Sequence, residues 1–253
     1  MSRTESGSSQ AGLASRSTAD PGPPPVLVPL ARRAGSTRSV LFHPLGGGLG
    51  PYAGLIAHLA RRGPVYGIRA LGTHPGEEPD TTITGMADRY AALLGQLPQQ
   101  PTLLVGWSLG GLLAWETAVR LTRERSADLP DLVLIDSSPR PWPSRDAHQH
   151  VRQEILRRSA EQLGEDMLAP LARVVDAHAA ARADYTVTCP YPGRVLQVTC
   201  THGDDPDQGD AWAALSDAPT RRTLPCGHFD ALGAPHLRTL TGFIRDFLAT
   251  AAR

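Results

Sequence analysis

Lysine is absent from this 253-residue chain, so its 25 positive charges are all arginine, and they are matched by 25 aspartates and glutamates to a formal charge of zero. No run of basic residues occurs, which leaves a nucleic-acid partner without the concentrated positive face it would need. Cysteine is scarce. Cys189, Cys200 and Cys226 show neither a pairing pattern nor metal-ligand spacing, so no metal is expected and a reduced, cytoplasmic compartment is the simplest reading. Long apolar runs are missing too: the amino terminus has no signal-peptide core, and no stretch approaches transmembrane length. Secretion and membrane insertion are therefore disfavoured. What remains, 41% hydrophobic and 20% charged, reads as an ordinary globular protein of a size that one α/β core accommodates.

Residues 1–25 are rich in Ser, Gly, Thr, Ala and Pro, and Leu13 is their only leucine, isoleucine, valine or aromatic residue. Such a segment cannot bury enough surface to offset its ordering and is expected to be a disordered leader or linker before a folded domain spanning 26–253. Within that domain the chain is organised around Thr102 to Trp115, TLLVGWSLGGLLAW. Strand-like residues run into Gly106-Trp107-Ser108-Leu109-Gly110 and then into a helix-forming segment, the order of a nucleophile elbow. Side chains two residues either side of a serine on so sharp a turn would collide, which explains Gly106 and Gly110. The turn also sets Ser108 at the amino end of a helix, where unsatisfied N–H groups favour an oxyanion.

Strands are expected at Val26 to Leu30 and Arg38 to Phe42, joined by a turn around Ala34-Gly35. The second strand ends in His43-Pro44-Leu45-Gly46-Gly47-Gly48. This loop has no lysine and matches neither a P-loop nor GxGxxG, so its exposed N–H groups are better used on an oxyanion than on a phosphate. Val65 to Ile68, Leu132 to Ile135, Val195 to Thr199 and Arg221 to Leu224 read as further strands. Leu132 to Ile135 delivers Asp136 at its carboxyl end, the edge where open α/β sheets gather their ligands. Arg140 to Ala183 breaks the alternation with two amphipathic helices, one carrying Val151, Ile155, Leu156 and Leu163, the other Met167 to His178. Placed just beyond a catalytic edge, they read as a lid over residues 140–183.

Ser108, Asp136 and His228 follow the chain order Ser, Asp, His, each just after an expected strand, and this belongs to the α/β-hydrolase arrangement: a mostly parallel sheet flanked by helices. His228 would take the proton of Ser108, Asp136 would hold the imidazole ring, and Ser108 would attack a carbonyl carbon. Two alternatives stay open on the residues alone. Asp205 is a second candidate acid, and among the other histidines His202 is the nearest rival base. The oxyanion donors would be the N–H of Leu109 and a second N–H from Leu45 or Gly46.

Taken together, LFHPLGGG, GWSLGG, LVLIDSSP and GHFDAL resemble the thioesterases of non-ribosomal peptide and polyketide assembly lines, from about Val26 to the end of the chain. The resemblance implies Ser108 as acyl acceptor, Asp136 as acid, His228 as base, and Leu45 and Leu109 as oxyanion donors. Trp107 and Gly46 are assigned to substrate binding. The implied substrate is an acyl or peptidyl thioester on the phosphopantetheine arm of a carrier protein, with no cofactor held by the chain itself; hydrolysis or ring closure would follow an acyl-serine. Arg140, Arg145, Arg152, Arg157 and Arg158 are candidates to meet an acidic carrier, or simply a solvated face. In the editing branch of the family the acid lies after the later strand in a GDxDP-like motif, to which Gly203-Asp204-Asp205-Pro206 is similar. LIDSSP and GWSLGG favour the chain-releasing branch. A stand-alone editing enzyme and a general small-ester hydrolase are the alternatives.

Overall fold

Continuous apolar runs become the buried strands of one seven-stranded sheet in the computed structural model, which describes residues 24–124, 129–141, 145–161, 163–203, 205, 207–217 and 219–250. The leader or linker expected over residues 1–25 lies outside these except for its last two prolines, as do Asp204 and Pro206. In chain order the elements are β1 (Leu27–Ala31), β2 (Ser39–Phe42), α1 (Ala53–Leu59), β3 (Val65–Ile68), α2 (Ile83–Gly95), β4 (Leu103–Trp107), α3 (Leu109–Glu124) and β5 (Asp131–Ile135). They continue with α4 (Arg145–Ala160), α5 (Glu165–Ala183), β6 (Val195–Cys200), α6 (Gln208–Ala213), β7 (Thr220–Leu224) and α7 (His236–Ala249).

The strand order is β1-β3-β2-β4-β5-β6-β7, parallel throughout except for β1, which runs antiparallel along β3 at the edge. The turn at Ala34-Gly35 therefore carries the chain from the edge to the interior rather than closing a hairpin. Both flanks of β2 are already taken by β3 and β4. Strands buried on both faces read as near-continuous apolar runs, with Ser39 of β2 and Gln197 of β6 as buried polar exceptions. Leu132 and Leu134 of β5 enter one core with α2 and α3, whereas Val133 and Ile135 enter the other with α1 and α7. The result is helix, sheet and helix in three layers.

Local sequence explains the helices that matter. The hydroxyl of Thr82 caps α2 by accepting from the N–H of Gly85 at 3.1 Å, and Ile83, Met86, Tyr90 and Leu94 fall on its buried stripe. In α3 the small residues Gly110, Ala114 and Ala118 face the sheet, both alanines fully buried. Register then aligns the site: Phe42 lies opposite Gly106, and Trp107 opposite Ile135. The loop after β2, the turn after β4 and the residue after β5 thus emerge side by side at the carboxyl edge.

The two expected lid helices are α4 and α5, and they differ in burial. Val174, Val175, His178 and Ala179 make α5 an inner layer of the molecule, whereas among the described side chains of α4 only Val151 is buried. Arg182, near the end of α5, donates to the carbonyls of Ser138 at 2.9 Å and of Arg140, fastening α5 to the segment that leaves β5. Leu163 does not belong to α4 as expected. The helix ends at Ala160, Gly164 opens α5 in extended backbone, and Leu163 is left on the connection, 40% exposed.

Candidate active site

Ser108 is held at φ 58°, a left-handed conformation that a serine adopts only under constraint, and Asp136 on the neighbouring strand end has φ 42°. The constraint on Ser108 is visible around it. Its N–H donates to the carbonyl of Ile135 at 3.0 Å, and the hydroxyl of Tyr52 accepts from the N–H of Trp107 at 2.8 Å while donating to the carbonyl of Phe42 at 2.7 Å. A Cβ at Gly106 would overlap the carbonyl of Gly110, and one at Gly110 would overlap that of Phe42. Gly106→Ala is accordingly expected to destabilise the fold by about 1–3 kcal/mol or more. An unchanged urea midpoint would contradict this account of the elbow.

Three side chains from separate strand ends meet at this turn. Nε2 of His228 lies 3.1 Å from Oγ of Ser108, and its Nδ1 lies 2.7 Å from Oδ2 of Asp136. The other oxygen of Asp136 accepts from the backbone N–H of Cys200 at 2.9 Å and from the amide of Gln208 at 2.7 Å. Burial of Asp136 works against its charge, but the His228 ring, the Cys200 N–H and the Gln208 amide outweigh it and hold the carboxyl below the usual carboxylate range. An ionised Asp136 accepts and cannot donate, so Nδ1 of His228 carries the proton and Nε2 is left bare toward the serine hydroxyl. That is the tautomer a general base needs. Trp107 backs the imidazole with ring centroids 5.0 Å apart, and Phe229 meets it edge-on at 5.1 Å.

Asp205, the other candidate acid, is turned elsewhere and pairs with Arg140 at 2.9 Å. His202 is placed by its backbone N–H on the carbonyl of Cys226 at 3.1 Å; the bond to Ser108 is made by His228. Leu109 is the first residue of α3, so its N–H has no acceptor within the helix. Leu45, Gly46 and Trp107 line a cleft of about 510 Å³ together with Ser108 and His228, and Ile155 of α4 and Leu171 of α5 line it as well. Among the described residues no group of three or more His, Cys, Asp or Glu is arranged to hold a metal ion, and no helix is long and apolar enough to cross a membrane.

Several of the arginines of α4 are used within the chain. Arg152 pairs with Asp176, Arg157 with Glu154 and Glu161, and Arg158 with Glu154, while the side chain of Arg145 lies outside the described residues. Tyr52 and Gln208 were not singled out by sequence. Tyr52 reads as one more apolar residue on a helical stripe, and nothing distinguishes Gln208 in a polar turn. Only the position of Gln208 just after the β6 loop, at the carboxyl edge, offered a signal.

Known proteins resemble this chain in sequence and in fold. A family model described as thioesterase domain matches residues 39–248. A dimodular nonribosomal peptide synthase of Bacillus subtilis is 33% identical over 138 residues, which are 54% of this chain and 5% of that protein, so the chain spans a small part of that relative's length. Two solved structures overlay most of the chain. The NocB thioesterase domain from the nocardicin cluster, in covalent complex with a fluorophosphonate nocardicin G analog, is 25% identical, with a TM-score of 0.70 over 84% of this chain and 95% of that one. The RedJ thioesterase from the prodiginine biosynthetic pathway of Streptomyces coelicolor is 26% identical, with a TM-score of 0.68 over 83% and 90%. With the motif order, the sheet and a family match across most of its length in agreement, the chain belongs to the thioesterase domain family.

Proposed function

We propose that the chain releases an acyl or peptidyl group from its thioester on the phosphopantetheine arm of a carrier protein, through an ester on Ser108. The observation that carries this reading is the unbroken relay from Ser108 Oγ through His228 to Asp136 at the floor of a lidded cleft. Ser108 attacks the thioester carbonyl carbon and passes its proton to Nε2 of His228, while Asp136 holds the imidazolium. The N–H groups of Leu109 and Leu45 receive the negative charge of the carbonyl oxygen. Collapse breaks the carbon–sulfur bond, and the thiol departs with the proton from His228. Water, or a nucleophile within the bound acyl or peptidyl group, then attacks the acyl-serine and gives its proton to His228, which returns one to Oγ of Ser108 as the ester bond breaks, giving hydrolysis or ring closure.

Contact between His228 and Asp136 rather than Asp205 supports the chain-releasing branch over the editing branch. Residues 26–253 act in this reading as one catalytic domain, with 140–183 as its lid and Trp107 and Gly46 against the substrate. The test compares a carrier-bound acyl thioester with a soluble ester of the same acyl group. A kcat/KM at least about tenfold higher for the carrier-bound form, equivalent to about 1.4 kcal/mol of recognition, is expected. A preference for the free ester would favour a general esterase instead.

A further inference from the structure

Behind the proposed oxyanion loop two imidazoles stack face to face, His43 from the loop itself and His178 from α5, with centroids 5.0 Å apart and planes tilted by 23°. Both are fully buried. Nδ1 of His43 lies 2.9 Å from the carbonyl of Pro44, and its Nε2 lies 2.7 Å from the hydroxyl of Tyr90. A carbonyl can only accept, so Nδ1–H donates and Nε2 accepts a hydrogen bond from the Tyr90 hydroxyl. His178 likewise donates from Nδ1 to the carbonyl of Leu45 at 2.9 Å. Burial pushes both rings down in pKa, with the neighbouring imidazole adding to the effect on His43, which falls to about 3. Both therefore remain neutral donors.

These bonds act on the oxyanion loop through peptide planarity. In a trans peptide the N–H points opposite to the carbonyl before it, so whatever grips the oxygen also aims the N–H. The Pro44 oxygen is gripped by His43 and by the N–H of Gly47 at 2.9 Å, which aims the N–H of Leu45. The Leu45 oxygen is gripped by His178, which aims the N–H of Gly46. The remaining nitrogen of His178 is buried with no hydrogen-bond partner among the described residues. A polar atom left unpaired in the interior is a cost that an aliphatic residue would avoid, so the ring is better explained by its bond to Leu45 than by packing.

We infer that His178 is a positioning residue, one that fixes the carbonyl of Leu45 and with it the backbone of the residue whose own N–H faces the charge developing beside Ser108, and so ties assembly of the oxyanion site to the seating of α5. This rests on the acyl-serine reading proposed above. His178 lies outside the relay, and its effect falls on the transition state and not on the substrate.

Two substitutions separate that role from simple packing. His178→Phe keeps an aromatic ring against His43 but loses the donor, whereas His178→Asn keeps a donor near the place of Nδ1. With a carrier-bound acyl thioester, His178→Phe is expected to lower kcat about ten- to a hundredfold with KM within twofold, short of the 10²–10³ typical of removing an oxyanion donor outright. His178→Asn should stay within about threefold of wild type. Should His178→Phe fail to fold by thermal melting, His178→Leu takes its place. Equal losses in the Asn and Phe variants, or a loss confined to KM, would overturn the inference. Ser108→Ala, measured alongside, distinguishes the two levels. If it keeps turnover, the acyl-serine reading fails and this one with it; if it is inactive while His178→Phe keeps its kcat, only the positioning role falls.

Discussion

Replacing Ser108 with alanine is expected to lower turnover of a carrier-bound thioester by about 10⁶-fold, leaving only what the N–H donors and substrate binding supply. Alanine keeps the Cβ, so the left-handed backbone at φ 58° is no more strained than before, and the missing atom is the one 3.1 Å from Nε2 of His228. Folding should therefore be preserved while the chemistry is lost. A fluorophosphonate should label wild type at Ser108 and leave the variant unlabelled, with mass spectrometry locating the adduct. An adduct on another residue, or turnover within tenfold of wild type, would dispose of the acyl-serine. It would leave a thioesterase-like fold serving as a binding module.

Asp136→Asn is expected to cost about 10⁴-fold in acylation rate, the loss seen where a triad acid becomes an amide and the wrong histidine tautomer results. Geometry supplies the reason here. Oδ1 of Asp136 is held by two donors, Cys200 N–H and the Gln208 amide, so the carbonyl oxygen of an asparagine would take that place. Its NH₂ would then face Nδ1 of His228, forcing that nitrogen to accept and moving the ring proton to Nε2, where it can no longer receive one from Ser108. Asp205→Asn loses only a partly exposed pair with Arg140, worth at most about 1 kcal/mol, and its rate should stay within a few-fold. Stopped-flow acylation of both variants, with melting curves as a fold check, reads the difference. The reverse order would move the acid to the later strand and favour the editing branch.

Much of this was legible in the sequence, because catalytic geometry on a parallel sheet leaves linear traces. A doubly buried strand reads as a near-continuous apolar run, and such runs ending in Ser108 and Asp136 marked the edge before any strand was placed. The loop at Leu45 was marked by what it lacked, a lysine, as much as by its glycines. What escaped was whatever depends on partners distant in the chain. That β1 leaves its neighbour in sequence for the edge beside β3 follows from the sheet as a whole, not from the turn at Ala34-Gly35. Tyr52, Gln208 and His178 make hydrogen bonds that span 55, 72 and 133 residues, and no local pattern encodes such a reach.

The carboxyl edge has a bearing on folding as well. Ser108 and His228 are 120 residues apart and Asp136 and His228 are 92 apart, with β5, β6 and β7 lying between the serine turn and the histidine loop. Contacts of such high sequence separation form late and only once the intervening strands have paired, so no early collapsed species would hold the three groups together. Recovery of a reactive serine during refolding would consequently report completion of the native topology, and would lag behind the return of helical signal.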